Sequence, residues 1–242
     1  MSAPRAIVVA DDLTGAADTA APFAAAGFAT AVPLRSTPPG AEVIALSNDT
    51  RDASADRIDR LFEQSMELLP PTNGSTVWYA KVDSVFRGYP GPQVAFLLRQ
   101  TGQRAVIIAP ALPDQGRVTV DGNVYVDDVL LTRTALGTGR SSAAVVELLR
   151  LPRDLGSIVD LKTVRSGERV LREAIAHAEH PIVVVDAETN EDLAILADAV
   201  IDGTSHLLAG SAGFSKQIAL RLAERSGKAP ATRLSTPARS VL

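Results

Sequence analysis

The feature that most restricts the fold is an alternation running almost the length of the chain. Short apolar runs rich in Val, Ile and Ala recur at Ile7–Ala10, Thr30–Leu34, Val43–Ser47, Thr76–Val82, Ala105–Ala109, Ser157–Asp160, Ile182–Asp186 and His206–Ala209. Between them lie longer Ala- and Leu-rich stretches with helical spacing: Gly15–Ala26, Ala53–Leu69, Gly91–Thr101, Ser141–Arg150, Ser166–Ala178, Asn190–Ile201 and Ala212–Arg225. Strands buried on both faces need continuous apolar runs rather than alternating ones. The pattern therefore predicts an α/β protein, a mostly parallel open sheet with helices on both faces. The punctuation agrees. Gly27 suits a helix C-terminus, Pro70-Pro71 stops a helix, and Pro92 is tolerated in a first turn. Pro110–Arg140 reads as irregular, with a hairpin turn at Asp121-Gly122 inside it. Residues 1–226 are expected to form the folded unit, and 227–242 a frayed tail or the start of a linker.

Composition removes several function classes. The 242 residues are 46% hydrophobic and 21% charged, which argues against a disordered chain. Lys and Arg number 24 against 28 Asp and Glu, so no net positive field collects nucleic acid. With no cysteine there is no disulfide, thiolate nucleophile or Cys zinc site. His177, His180 and His206 lack metal-motif spacing, so no resident metal is expected. No apolar run approaches the roughly 18–20 residues of a membrane span, and the first strand is too short for a signal-peptide core. The expectation is a soluble cytoplasmic protein with no membrane or nucleic-acid partner.

In a sheet of this kind ligands bind beyond the carboxyl ends of the strands. After the first strand comes Asp11-Asp12-Leu13-Thr14-Gly15-Ala16-Ala17-Asp18, two adjacent carboxylates opening a helix. Helix capping accounts for one acid and not for two. After Val43–Ser47 comes Asn48-Asp49-Thr50-Arg51, either a surface arginine or a ligand arginine. After Thr76–Val82 comes Lys81-Val82-Asp83-Ser84-Val85-Phe86-Arg87-Gly88. A point charge and a planar guanidinium flanking an Asp and a Ser suit a sugar acid; the alternative is a salt bridge closing the sheet. Arg117 follows a Gly hinge and is expected to project from the hairpin. Gly210-Ser211-Ala212-Gly213 joins a strand to a helix, which suits either a phosphate contact or a tight turn. The run through Gln217 is not a Walker A loop, because Ser215 and Gln217 stand in place of its second Gly and its hydroxyl.

Taken in order, Ala10-Asp11-Asp12-Leu13-Thr14-Gly15-Ala16, Lys81-Val82-Asp83-Ser84 with Arg87-Gly88, Ala109-Pro110-Ala111-Leu112-Pro113 with Gly116-Arg117, Gly122 and Tyr125-Val126, Asp186-Ala187-Glu188-Thr189, and Ala209-Gly210-Ser211-Ala212-Gly213 resemble the four-carbon acid sugar kinases, from about Ile7 to Leu222. The resemblance implies ATP-dependent phosphorylation of a threonate-, erythronate- or 3-oxo-tetronate-type acid, with Mg2+ arriving on the nucleotide. It implies substrate contacts at Asp11, Asp12, Arg51, Lys81, Asp83 and Ser84, with Arg87 and Arg117 added. Arg51, Lys81 and Arg87 would meet the carboxylate and hydroxyls, and Asp12 or Asp83 would orient the attacking hydroxyl. Gly210, Ser211 and Gly213 would meet the nucleotide. Val85 stands where the family commonly has Thr, which bears on substrate choice.

The resemblance also implies a C-terminal nucleotide lobe beyond Leu242. That lobe could belong to a separate chain, or this chain could be a sugar-acid binding or regulatory module or associate with its own copies. Phe214 and Ile218 would then be exposed on the face such a lobe covers. An unrelated hydrolase is disfavoured, because no Gly-x-Ser-x-Gly or Ser/His/Asp arrangement is present.

Overall fold

The computed structural model describes residues 3–151, 153–202 and 205–230. The first half contains β1 (Ala6–Ala10), α1 (Leu13–Ala25), β2 (Thr30–Ala31), β3 (Val43–Ser47), α2 (Ile58–Met66), β4 (Val77–Lys81), α3 (Pro90–Thr101), β5 (Val106–Ala109), β6 (Arg117–Val120), β7 (Asn123–Val126) and β8 (Val129–Leu130). The second contains α4 (Val145–Leu148), β9 (Gly156–Val159), α5 (Leu161–Arg165), α6 (Glu168–Ala176), β10 (Ile182–Val185), α7 (Asn190–Val200), β11 (Leu207–Gly210) and α8 (Ala212–Arg225).

Eight strands form one sheet in the order β2-β3-β1-β4-β11-β5-β10-β9, and every pairing within it is parallel. The expected α/β architecture is thus present. The alternation of side chains along each strand separates two cores. Val8 and Tyr79 face α1, α7 and α8, and pack with Phe23, Leu193 and Phe214. Ile7, Val9 and Trp78 face α2, α3 and α4, and pack with Phe62, Leu97 and Val145. Phe214 and Ile218 are completely buried in the first core. They are not the exposed apolar face that the resemblance led us to expect, because α8 turns that face onto the sheet.

Register sets where chemistry can occur. Ala10 lies opposite both Ser47 and Lys81, and Gly210 lies opposite both Lys81 and Ala109, so the strands end in one row. From β1 the chain leaves through α1 on one face toward β2. From β4 it leaves through α3 on the other face toward β5. The carboxyl ends of β1 and β4 therefore flank the crevice of a topological switch point.

Several elements depart locally from the sequence expectation. The stretch Ser141–Arg150 is helical only at Val145–Leu148. Ahead of that turn, Val124 N–H donates to Ala143 O and Val145 N–H to Gly122 O, both at 2.9 Å, so pairing with β7 overrides helix propensity. The helix expected over Ser166–Ala178 begins only at Glu168, because Gly167 at φ 98° separates it from the short α5 ahead of it. The strand expected at Thr30–Leu34 ends at Ala31, ahead of Pro33, which has no N–H to donate. The helix expected over Ala53–Leu69 opens as a 3-10 turn at Ala55–Arg57 before α2.

The stretch expected to be irregular contains an antiparallel sheet, β6-β7-β8. Its first turn is at Asp121-Gly122, both in the left-handed region (φ 49° and 68°), as a tight hairpin requires. Asp186 anchors that turn: its carboxylate accepts the N–H of Asp121 at 2.7 Å and of Gly122 at 2.9 Å. Of the tail, Lys228 folds back onto Glu42 at 2.7 Å and lies over the Phe28 ring; residues 231–242 lie outside the described residues.

Candidate functional site

A cleft of about 330 Å3 opens at the switch point, lined among others by Asp12, Lys81, Asp83, Ser84, Arg87 and Arg117. Strand ends, a helix start and the β6–β7 hairpin thus bring together residues as remote in the chain as Asp12 and Ser211.

Asp12 is the N-cap of α1: its Oδ1 accepts the Gly15 N–H at 2.6 Å, and its Oδ2 is gripped by Arg51 Nη1. Asp11 is buried and is not part of the cleft wall. Arg51 donates to it through Nε at 3.0 Å and through Nη2 at 2.7 Å. Burial pushes the Asp11 carboxyl up from its ordinary range, and the two-point grip of Arg51 opposes that. Asp12 is thus a helix cap and an ion-pair partner at once, and Arg51 is a clamp closed on two carboxylates.

The β4 end carries the rest. Lys81 is buried, with Nζ donating to Val82 O at 3.1 Å. Burial lowers its pKa from the ordinary lysine value, although Asp83, Asp11 and Asp18 favour the charged form. Asp83 accepts from Val85 N–H at 3.1 Å, from Arg87 N–H at 3.4 Å and from Arg87 Nη2 at 2.6 Å. Burial works against its charge, but the Arg87 bond and charge, with the Val85 and Arg87 N–H groups, together hold its pKa low. The turn that makes this possible carries Phe86 in the left-handed region at φ 59°, unusual for a bulky residue. Beneath it, the buried Gln93 of α3 donates to Val9 O at 2.7 Å and to Lys81 O at 3.3 Å, pinning the ends of β1 and β4 together.

The model of the family described as sugar-binding N-terminal domain matches residues 6–218 of this chain. Relatives include a D-threonate kinase of Salmonella typhimurium, 31% identical over 90% of this chain and 54% of its own length. Another is a 3-oxo-tetronate kinase of Haemophilus influenzae, 31% identical over 95% of this chain and 58% of its own. This chain is an N-terminal domain of the four-carbon acid sugar kinase family. A crystal structure of a Haemophilus influenzae protein superimposes with a TM-score of 0.80 at 27% identity, covering 97% of this chain and 59% of that one. A Bordetella bronchiseptica structure with bound citrate, a domain-swapped dimer, gives 0.76 at 28% identity, covering 90% and 57%. The chain spans a little over half the length of the relatives it matches.

Within this family frame, the cleft gathers Asp12, Arg51, Lys81, Asp83, Ser84, Arg87, Arg117 and Ser211 from the residues the sequence singled out. Gly210 and Gly213 stay outside its wall. A Cβ on Gly210 would sit 2.2 Å from Ala109 O, and one on Gly213 would sit 2.9 Å from Ala111 O, so both glycines serve close packing. The Ser211 hydroxyl donates to Ala111 O at 2.5 Å and accepts the Gly213 N–H at 3.0 Å. The hydroxyl of this turn is thus engaged within the fold.

Sequence reasoning missed Asp18, Thr14, Gln115 and Leu136, which also line the cleft. Thr14 and Asp18 are four apart on α1, and that spacing was the available signal. Among the described residues no group of three or more His, Asp or Glu is arranged to hold a metal, and no helix is long and apolar enough to cross a membrane.

Proposed function

We propose that this chain is the sugar-acid-binding part of a kinase that phosphorylates a four-carbon sugar acid. The observation that carries the reading is the charge balance of the cleft. Among the described residues, Arg51 and Arg87 are ion-paired to carboxylates, whereas Lys81 and Arg117 are not. Arg117 Nη1 donates to Gln115 Oε1, and its buried Nε has no partner in the fold. Two cations are thus left for one ligand carboxylate, beside the hydroxyl of Ser84 and acceptor carboxylates for the ligand's hydroxyl groups. A Lys point charge and an Arg fork suit a carboxylate, and a polyol suits Asp and Ser.

Phosphoryl transfer is mostly positioning and charge stabilisation. The cleft would hold the acid by its carboxylate and orient one hydroxyl, with Asp12 or Asp83 as the groups the sequence nominates. That hydroxyl would give its proton to a base as its oxygen attacks the terminal phosphorus of ATP, and ADP would leave. ATP and its Mg2+ are assigned to the part of such kinases with which this chain does not align, since the Ser211 hydroxyl is engaged within the fold. The location is cytoplasmic, where nucleotide triphosphates are available.

Calorimetry of the chain with threonate and erythronate, with and without ATP and Mg2+, tests this. The expected result is weak tetronate binding with little ATP turnover. Failure to bind any four-carbon sugar acid would overturn the binding reading. Robust kinase activity of residues 1–242 alone would overturn the placement of the nucleotide site.

A further inference from the structure

The three carboxylates that line the cleft, Asp12, Asp18 and Asp83, are not equivalent. Asp12 has one oxygen on the Gly15 N–H and the other on Arg51. Asp83 has one oxygen on the Val85 and Arg87 N–H groups and the other on the Arg87 guanidinium. Both therefore already accept from the protein at each oxygen, and both have a guanidinium in contact. Asp18 differs: it is exposed, and among the described residues it has neither a hydrogen bond nor an ion pair. It sits one turn along α1 from Thr14, with the unsubstituted Gly15 backbone between them. A Cβ placed on Gly15 would lie 3.6 Å from Lys81 Nζ, so this face of α1 runs beside the buried ammonium.

We infer that Asp18 receives a hydroxyl of the bound acid and excludes a second carboxylate, making the cleft selective for polyhydroxy monocarboxylic acids over dicarboxylic acids of the same length. The inference rests on the sugar-acid reading of the cleft and deepens it. An ionised carboxylate is an acceptor only, so a ligand hydroxyl satisfies it and a ligand carboxylate cannot. Asp12 and Asp83 lack this power of discrimination, because their paired guanidinium groups already offset their charge. A threonate places its single carboxylate with Lys81 and Arg117 and presents only hydroxyls to Asp18. A tartrate of equal length brings a second anion that Asp18 repels, with no uncommitted arginine left to receive it.

The test compares threonate with tartrate by calorimetry on the full chain, wild type and Asp18→Asn, with melting temperatures in parallel. Asp18→Asn is expected to weaken threonate binding about tenfold, the effect of one charge-assisted hydrogen bond. Tartrate binding should hold or strengthen, and the melting temperature should not move. Equal changes for both acids, or none, would overturn the inference while leaving the binding site intact. A wild-type chain that binds neither acid would remove the underlying reading and the inference with it.

Discussion

Arg51 and Asp11, forty residues apart, meet side by side: Nε lies 3.0 Å from Oδ2 and Nη2 lies 2.7 Å from Oδ1. The Asp11 side chain is 4% exposed and that of Arg51 16%, so the pair belongs to the interior as much as to the cleft. With Asp12 on the third guanidinium nitrogen, the loop after β3 is tied to the end of β1.

Removing one partner of such a pair strands a buried charge. Arg51→Ala is expected to cost about 3–5 kcal/mol of folding stability. Arg51→Lys should cost less than that, since it retains the charge and loses the planar grip. Urea denaturation with an unchanged slope is the measurement. Unaltered stability with collapsed tetronate affinity would make Arg51 a ligand residue instead.

Lys81 and Arg117 should behave in the opposite way. Alanine at either position is expected to weaken tetronate binding roughly ten- to a hundredfold. The Arg117 variant should melt close to wild type, because its side chain is not in an ion pair of the fold. Burial holds the Lys81 ammonium below the ordinary lysine value, so affinity for the anion should fall as pH rises through that lowered pKa. Calorimetry across the alkaline range checks this; a flat profile counts against Lys81 as the anion contact.

Asp186 gives a stability test in acid. Burial raises its pKa from 3.8 to about 6, against the two backbone N–H groups that favour its charge. The neutral form is therefore favoured by folding. The contribution is fully present below about pH 4 and is lost as pH rises through about 6. The difference between wild type and Asp186→Asn should shift against wild type over that window by something on the order of 3 kcal/mol. A constant difference from pH 4 to 7 would show that the carboxyl does not titrate there.

Gly88 tests how closely backbone approaches the Arg51 clamp. Its φ is 76°, and an added Cβ would lie 2.8 Å from Asp11 Oδ2 and 3.4 Å from Arg51 Cα. Gly102 has a similar φ of 67° with nothing within 4 Å. Alanine at either site costs about 1–2 kcal/mol of backbone strain. Gly88→Ala should lose more stability, and tetronate affinity with it; equal melting losses for the two variants would discount the contact with Asp11.

Much of the architecture was legible in residue order. Apolar runs separated by helical stretches required a parallel sheet, and the sheet required its ligands at the strand ends where Asp12, Lys81 and Asp83 stand. Asp121-Gly122 announced the hairpin because few other dipeptides accept two left-handed conformations. These are properties of local periodicity and local backbone preference, which a sequence carries directly.

Which charges would be left for a ligand was decided elsewhere. Arg51 and Arg87 read as anion contacts but are neutralised by Asp11, Asp12 and Asp83. Ser211 read as a nucleotide contact, but its hydroxyl is turned inward onto Ala111. Phe214 and Ile218 read as an interface and are core. Asp18, passed over in the sequence, has neither a hydrogen bond nor an ion pair among the described residues. Pairing of charges depends on distances between segments remote in the chain, and those distances exist only once β1, β3, β4 and the hairpin have been brought together at the carboxyl ends of the strands.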